Sequence, residues 1–327
     1  MTLHLDDVSF IGEGLVRPEC VLATAAGDLY SSDWRGGVSH LRPDGTQVLY
    51  RGATAELPEG PRPNGIALEP DGSFLFANLG SEIGGVWRID RAGQISPVLR
   101  EVDGVVLPPT NFVTRDRQHR LWVTVSTRVQ PRSIDYRRSA ATGFVVLVDG
   151  NGARIVADGL GFTNECAIDP MAQFLYVNET YARRLSRFSL GPNGDVGEKD
   201  VVFEFGPGQF PDGMAFDAEG NVWVASIISN QLIRVDPDKR VAEVSLEDGD
   251  RDHVEWVEQA YRADALGRPH MDQIRSRRLR NISNIAFGGT DLRTAFLGCL
   301  LGSQIARLPM KVAGTPPVHW KWPTTSI

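Results

Sequence analysis

Short apolar runs separated by polar turns recur along most of the chain, and the clearest of them lie in its second half. There, DGMAFDAEGNVWVASIISNQLIRVDPDKRVAEV predicts an inner strand near 213–217, a second near 222–226, a third near 231–236 and a fourth after Pro237 and Asp238. The same order of strand, turn and strand appears in GIALEPDGSFLFANLG, CAIDPMAQFLYVNET and IAFGGTDLRTAFLGC. Aspartates in these turns are predicted to be structural, because Asp and Gly supply turn geometry.

Six acidic or amide residues share one position in this pattern, just before a short apolar strand. They follow one another at intervals of 45, 47, 53, 48 and 72 residues. A repeat of about 40–50 residues that holds several strands is typical of a β-propeller, in which equivalent positions of all blades face the central axis. The six side chains are therefore predicted to form one ring of oxygen atoms. The ring residues are Glu19, Asn64, Asn111, Asn164, Asp212 and Asn284.

These repeats predict an all-β fold, a six-bladed β-propeller that residues 1–327 form as a single domain. An open propeller would expose an unpaired strand edge, so one terminal segment should complete the last blade. Two segments are candidates for this role: Val8–Ile11 near the N-terminus, and VHWKW at 318–322.

Two long segments interrupt the strand pattern, and both are predicted to emerge on the side of the disc that carries the ring. One is the loop 128–142 of blade 3, and the other is the insertion 248–281 between blades 5 and 6. Long loops on a rigid scaffold commonly carry function. The insertion is therefore interpreted as a lid or pocket wall. A subunit interface is the alternative use of its apolar stripe.

The insertion has the pattern of a helix rather than of a strand. Asp252 and Glu255 are predicted to cap the start of one helix, Gly267 to close it, and Pro269 to begin another. The apolar residues of the first helix recur at helical spacing on one face. The side chains expected to turn toward the pocket or the disc are Trp256, Val257 and Tyr261.

Composition narrows the possible partners. A net charge of −7 and a pI near 5.5 disfavour general binding to nucleic acid phosphates. No stretch approaches the 18 or so apolar residues of a membrane span, and MTLHLDDVSF lacks the pattern of a signal peptide. We therefore expect a soluble cytoplasmic protein, a monomer or homo-oligomer, that binds a small-molecule substrate and neither nucleic acid nor membrane.

The chemistry of the ring follows from its two carboxylates, Glu19 and Asp212, and its four amides. Such an all-oxygen set suits a hard divalent cation, Ca²⁺ ahead of Mg²⁺ or Mn²⁺. Zn²⁺ is a weaker candidate, because no Cys or His stands at a ring position. The alternative is that these residues only hydrogen-bond turns and strand ends. Six positions in register favour the cation, and the absence of GxSxG leaves no competing Ser-His-Asp set.

Five segments in this order and spacing carry a resemblance to a known family. They are RPEC at 17–20, PNGIALEPDG at 63–72, TNECAID at 163–169, FPDGMAFDAEGNVWVA at 210–225 and NIAFGG at 284–289. With them the chain resembles the SMP-30/gluconolactonase/luciferin-regenerating-enzyme family over nearly its whole length. That family consists of calcium-dependent six-bladed propeller lactonases, with a metal in the central channel.

The resemblance implies that Glu19, Asn164 and Asp212 are metal ligands. Asn111 matches an asparagine that binds substrate or metal in the family, and it stands here as a fourth ligand or catalytic contact. Sugar lactonases of the family usually carry Arg-x-Asn-Asp at this point, whereas this chain has Pro109-Thr110-Asn111-Phe112. The missing arginine predicts a more apolar or bulkier substrate than an aldonolactone.

The favoured function is a metal-dependent hydrolase that opens a lactone or related ester, with Asp212 and Asn111 as the catalytic pair. A lyase, hydratase or isomerase that uses the same cation is the first alternative, since a fold does not fix its reaction. A non-catalytic binding propeller is the second alternative. The two carboxylates predicted in the channel disfavour it, because a docking module does not need buried carboxylates there. The residues assigned to substrate binding are Trp34, Asn64, Phe112 and Asn284.

Overall fold

The computed structural model describes residues 2–322, which form six four-stranded antiparallel sheets. The innermost strand of each blade contacts that of the next, and the sixth contacts the first, so the blades enclose a central channel. This confirms the predicted six-bladed propeller. In chain order the strands are β1 (Ser9–Ile11); β2–β5 of blade 1 (Val21–Ala23, Leu29–Asp33, Gly37–Leu41, Gln47–Arg51); β6–β9 of blade 2 (Pro63–Leu68, Phe74–Asn78, Val86–Ile89, Ile95–Leu99); and a separate hairpin, β10–β11 (Glu101–Val102, Val105–Val106). They continue with β12–β15 of blade 3 (Phe112–Arg115, Leu121–Val125, Gly143–Asp149, Gly152–Leu160); β16–β19 of blade 4 (Thr163–Ile168, Phe174–Glu179, Arg184–Leu190, Val196–Glu204); β20–β23 of blade 5 (Gln209–Phe216, Val222–Ile228, Gln231–Asp236, Val241–Glu247); and β24–β26 of blade 6 (Ile282–Gly288, Thr294–Cys299, Ile305–Pro309).

The N-terminal strand closes the propeller. β1 pairs antiparallel with β26, with Phe10 opposite Ala306, and so becomes the fourth strand of blade 6. The first of the two candidate closing segments is therefore the correct one. The C-terminal VHWKW segment instead lies against the inner strands, where the Trp320 carbonyl accepts a hydrogen bond from the Ala25 N–H.

Buried tryptophans and turn aspartates stabilise the blades together. Trp122 and Trp223 are fully buried on β13 and β21, and each donates its indole N–H to the aspartate of the preceding turn. Asp217 also accepts hydrogen bonds from two backbone N–H groups of its own turn. The turn aspartate thus fixes both the turn and the core tryptophan, as the structural role predicted for it requires.

Four of the six ring residues lie inside their strands rather than before them, which corrects the predicted boundaries. Asn111 directly precedes β12, and Glu19 lies two residues before β2. The other four belong to the innermost strands themselves. In those four blades the pairing with the second strand shifts register at this point, as in a β-bulge. The shifts lie between Pro63 and Ile66, Thr163 and Cys166, Pro211 and Met214, and Ile282 and Asn284.

The insertion between blades 5 and 6 contains two helices, α1 (Arg251–Arg262) and α2 (Arg268–Met271). The predicted helix ends need correction. Asp250, not Asp252, caps α1, because its side chain accepts a hydrogen bond from the His253 N–H. Gly267 stands before α2 instead of closing α1, and Pro269 lies in the first turn of this second helix, which begins at Arg268.

Helix α1 packs its apolar face onto the propeller. Val257 and Tyr261 are buried in one cluster with Phe162 and Phe210, which lie at the start of blades 4 and 5. Trp256 does not join them, since it remains 39% exposed and its ring lies against that of His270.

None of the helices within residues 2–322 has the length and apolar character needed to cross a membrane.

A half-buried histidine in the C-terminal segment gives stability a predicted pH dependence. Burial lowers the pKa of His319 from 6.5 to about 4, although a hydrogen bond with the Ala23 backbone opposes the shift. The unfolded chain therefore binds a proton before the folded one, so this stability is complete above pH 6.5 and is lost as pH falls toward 4. We expect His319→Phe to lose less stability than the wild type between pH 7.5 and 5, measured by urea unfolding. Equal losses in both proteins would contradict the assignment.

Candidate active site

A cavity of about 260 Å³ opens between the central channel and the helical insertion. Four of the predicted ring residues line this cavity, so the residues predicted to bind the cation all border the same cavity. Its opposite wall comes from the insertion and from the loops of blades 1, 3 and 4. The four ring residues are Glu19, Asn111, Asn164 and Asp212, and the insertion contributes Arg268, Met271 and Asp272.

Left-handed backbone precedes two of these residues. Arg17 has φ of 52° and Phe162 has φ of 68°, and each stands two residues before a ring residue, Glu19 or Asn164. Such conformations are uncommon for residues other than glycine, and they concentrate at functional sites. The chain thus turns sharply just before it presents the side chain to the cavity.

Hydrogen bonds orient the Asn164 amide. The Thr180 hydroxyl donates to the Pro211 carbonyl at 2.8 Å, so it can only accept from Asn164, whose Nδ2 lies 3.0 Å away. The amide nitrogen therefore faces Thr180, and Oδ1 faces the other way. Within residues 2–322 this buried Oδ1 has no hydrogen-bond partner. A buried acceptor without a partner is costly, unless a ligand completes it.

Asp212 is buried, with 3% of its surface exposed. Its carboxylate accepts no hydrogen bond from any residue in the described part of the chain. Burial raises the pKa of Asp212 well above its usual value, and the charges of Glu19 and Glu165 raise it further, while Arg17 and Arg132 act in the opposite direction. An unpaired buried carboxylate of this kind requires a proton or a cation.

The other two ring residues of the cavity are held by polar neighbours. Glu19 forms an ion pair with Arg17, whose Nη2 lies 2.9 Å from Oε2. Asn111 donates through Nδ2 to the Ser126 hydroxyl at 3.1 Å. Within residues 2–322 its Oδ1 has one contact, a long one of 3.5 Å from Asn64 Nδ2, so this oxygen keeps capacity for a ligand.

This donor set fits a hard cation. No three carboxylate, imidazole or thiol groups converge on one point within residues 2–322, so a bound cation would depend on amide oxygens as well as on two carboxylates. Calcium accepts such mixed carboxylate and carbonyl oxygen sets. The Asn164 oxygen and the Asp212 carboxylate are both buried without partners, and a divalent cation would satisfy both. The residues present therefore fit the metal that the sequence predicts.

The residues assigned to substrate binding separate into two groups. Trp34 lines the cavity, where its ring lies 4.5 Å from the Arg17 guanidinium. Asn64 lies beside it in the channel wall and donates to the Asn111 carbonyl. Phe112 and Asn284 line a different cavity of about 220 Å³, further along the channel against the C-terminal segment. The structure does not bring these last two together with Trp34.

Sequence reasoning missed Glu165, a third buried carboxyl in the channel. It lines the second cavity and accepts hydrogen bonds from Asn284 Nδ2 at 2.8 Å and from the Met214 N–H at 3.1 Å. Burial raises its pKa to about 8, although these hydrogen bonds oppose the shift. It directly follows Asn164, so simple alternation along a strand would place only one of the two in the channel. The register shift in β16 allows both to reach it.

Comparison with known proteins identifies the family to which the chain is related. The sequence model described as "SMP-30/Gluconolactonase/LRE-like region" matches residues 17–247. A 6-deoxy-6-sulfogluconolactonase from Pseudomonas putida is 28% identical over 250 residues, which covers 75% of this chain and 70% of that protein. The residues that the family model matches, 17–247, include the four ring residues of the cavity.

Solved structures share the fold at low sequence identity. Luciferin-regenerating enzyme superposes with a TM-score of 0.67 at 14% identity, over 95% of this chain and 99% of that one. Regucalcin from Agrobacterium tumefaciens, described as a calcium-binding protein, superposes with a TM-score of 0.64 at 16% identity, over 94% and 96% of the two chains. With the sequence match over most of its length, the chain belongs to the SMP-30/gluconolactonase/LRE-like family.

Proposed function

We propose that this lactonase-type hydrolase opens a lactone or related ester with the help of a bound divalent cation. The observation that carries the proposal is that the buried Asn164 Oδ1, which has no hydrogen-bond partner within residues 2–322, lines one small cavity together with the buried Asp212 side chain. The gluconolactonase-type relative supports the reaction class, and calcium-binding regucalcin supports the cation. The substrate is accordingly a small molecule.

Glu19, Asn164 and Asp212 would hold the cation, with Asn111 as a fourth ligand or a substrate contact. A divalent cation held by these residues would supply Lewis-acid chemistry, polarising an ester carbonyl and offsetting negative charge on its oxygen. Ca²⁺ is the first candidate because the donors are carboxylate and amide oxygens, and Mg²⁺, Mn²⁺ or Zn²⁺ are the alternatives.

Asp212 has two carboxylate oxygens, and only one of them is needed as a ligand. The other is free to take the proton of a water molecule as that water attacks the ester carbon. Asn111 Oδ1 lies in the same cavity and is positioned to hold either the cation or a substrate hydroxyl. Tyr136 and Tyr181 provide apolar walls that limit access of further water.

The insertion 248–281 would serve as the lid of this site, within a single propeller domain. Arg268 and Met271 of α2 contribute to the cavity wall, and α1 anchors them to the propeller through its buried face. The pocket is therefore bounded by apolar groups as well as by guanidinium groups. Its apolar part would accept the more apolar or bulkier substrate that the missing arginine before Asn111 predicts.

Removal and return of the metal tests the proposal directly. Chelated and dialysed protein should lose about a hundredfold or more in turnover of a lactone and ester panel, measured by proton release. Reconstitution with Ca²⁺, Mg²⁺, Mn²⁺ or Zn²⁺ in separate samples should restore activity with one of them. Full turnover by chelated protein would make the metal mechanism wrong. Product analysis that finds elimination or isomerisation instead of hydrolysis would favour the lyase alternative.

A further inference from the structure

A second, wider groove of about 870 Å³ continues from the active-site cavity toward blade 6. The two spaces share several wall residues, so a ligand can extend from one into the other. The shared residues are Arg17, Trp34, Arg268, Asp272 and Leu300.

The groove has an unusual charge for this protein. Among the described residues that line it, five are arginines and one is an aspartate, whereas the whole chain has a net charge of −7. A concave surface lined by one sign of charge concentrates ligands of the opposite sign. The arginines contributed from the end of the insertion are Arg277, Arg278 and Arg280.

Two of these arginines have no acidic partner. Arg17 and Arg268 are paired with Glu19 and Asp272, and Arg277 lies near Asp248. Within residues 2–322, Arg278 and Arg280 form no ion pair with a carboxylate. Each instead donates to a backbone carbonyl.

Those backbone contacts hold the two guanidinium groups in place. Arg278 Nη2 lies 2.6 Å from the Val8 carbonyl, with the guanidinium 5.8 Å from the centre of the Phe10 ring. Arg280 Nη1 lies 2.9 Å from the Leu279 carbonyl. A guanidinium that is anchored by one nitrogen keeps other N–H donors for an anion and binds carboxylate, sulfonate or phosphate oxygens well.

We propose that the substrate is an anionic lactone or ester whose acidic group lies in this groove against Arg278 and Arg280. The proposal rests on the proposed hydrolase function, because the reacting carbonyl would occupy the adjoining cavity near Asp212. Trp34 and Leu300 line the passage between the two spaces and would contact the apolar part of the molecule. The acidic group takes no part in the reaction and supplies binding.

A matched pair of substrates tests this proposal. One is a γ-lactone with a carboxyalkyl side chain, and the other is the same lactone with a primary amide in place of the carboxylate. The metal-loaded wild type should prefer the carboxylate by about tenfold in kcat/KM at low salt, mostly through KM. Arg278→Gln/Arg280→Gln should remove this preference and leave kinetics with the amide unchanged. Sulfonate or phosphate in place of the carboxylate should show the same dependence on the two arginines.

Arg42→Gln/Arg51→Gln is the charge-matched control, since both residues are exposed on blade 1 and line neither space. It should keep the wild-type preference. Equal rates of the wild type with both substrates, or a preference that survives in the Arg278/Arg280 variant, would overturn the proposal. If neither lactone is opened, the proposed hydrolase function fails instead. In that case, calorimetry of the carboxylate lactone with the wild type and with the variant tests separately whether the groove binds the acidic group.

Discussion

Asp212→Asn is expected to lower kcat of the metal-loaded enzyme by about a thousandfold, the middle of the range for loss of a general base. The substitution keeps the volume of a side chain that is 3% exposed, so the fold should persist. It removes the negative charge that a cation needs and the oxygen that would accept the proton of water. It also removes an unpaired buried carboxylate, so the stability of the metal-free variant should not fall.

Two further variants separate the roles that Asp212 combines. Glu19→Gln should weaken cation binding, measured by calorimetry, but should recover most of its turnover at saturating cation. Asp212→Asn should not recover, because its loss includes proton transfer as well as ligation. Asp236→Asn, at the end of β22 where the carboxylate pairs with Lys239 and does not line the cavity, is the matched control and should keep full activity. Turnover of Asp212→Asn within tenfold of wild type would exclude Asp212 as the base.

The fold was predictable because its signals are local and repeated. Each blade carries its own strand and turn pattern, and the third strand of blade 5 was placed at the residues that the structure gives, Gln231–Asp236. Closure was narrowed to two segments by the need to cover a strand edge. The choice between them depended on pairing between β1 and β26, which are nearly 300 residues apart. No local pattern encodes such a pairing.

The site was predictable only in part, because strand register decides which side chains reach the axis. A shift of one residue moves a side chain from one face of a strand to the other. The register shifts in four blades fall at the ring positions themselves, so spacing alone did not separate Asn164 from Glu165. It also did not reveal that Phe112 and Asn284 lie in the second cavity. Glu19, Asn164 and Asp212 were identified through their repeat position and the family resemblance together.

The helical insertion was identified by its pattern, but its contacts were not. Apolar spacing correctly selected Val257 and Tyr261 as buried, whereas Trp256 has the same hydrophobic character and remains exposed. Glu258, on the buried side of α1 beside Val257, pairs with Arg183, whose guanidinium lies over the Tyr261 ring. A charged residue on a helix ordinarily faces solvent, so burial of Glu258 could not be predicted from its position in the helix.

Glu258→Gln is expected to lower the free energy of unfolding by about 3 kcal/mol, as the loss of one partner of a buried ion pair typically does. Glu258 Oε2 accepts from Arg183 Nη2 at 2.5 Å and from the Gly208 N–H at 2.9 Å, and its side chain is 12% exposed. The Arg183 guanidinium lies 3.8 Å from the centre of the Tyr261 ring, so the pair and the aromatic contact join α1 to blades 4 and 5. Without Glu258, that guanidinium is left buried and unpaired.

The pH dependence of this contact has a definite sign. Burial raises the pKa of Glu258, but hydrogen bonds from Arg183 and the Gly208 N–H outweigh it, so the pKa lies below the ordinary value of 4.5. The stabilisation is therefore present above pH 4.5 and is lost as pH falls through the lower folded-state pKa. Wild type and Glu258→Gln should differ in urea unfolding at pH 7 and approach each other in acid.

Because α1 holds α2 against the active-site cavity, Glu258→Gln should also raise KM more than it lowers kcat. Hydrogen exchange should become faster in 251–262 than in the inner strands. Glu255→Gln, on the exposed face of the same helix, is the matched control and should change neither stability nor KM. Arg183→Met/Glu258→Leu removes both charges and should recover much of the lost stability, because no buried charge remains unpaired. A double variant as unstable as Glu258→Gln would assign the loss to packing instead of to the ion pair.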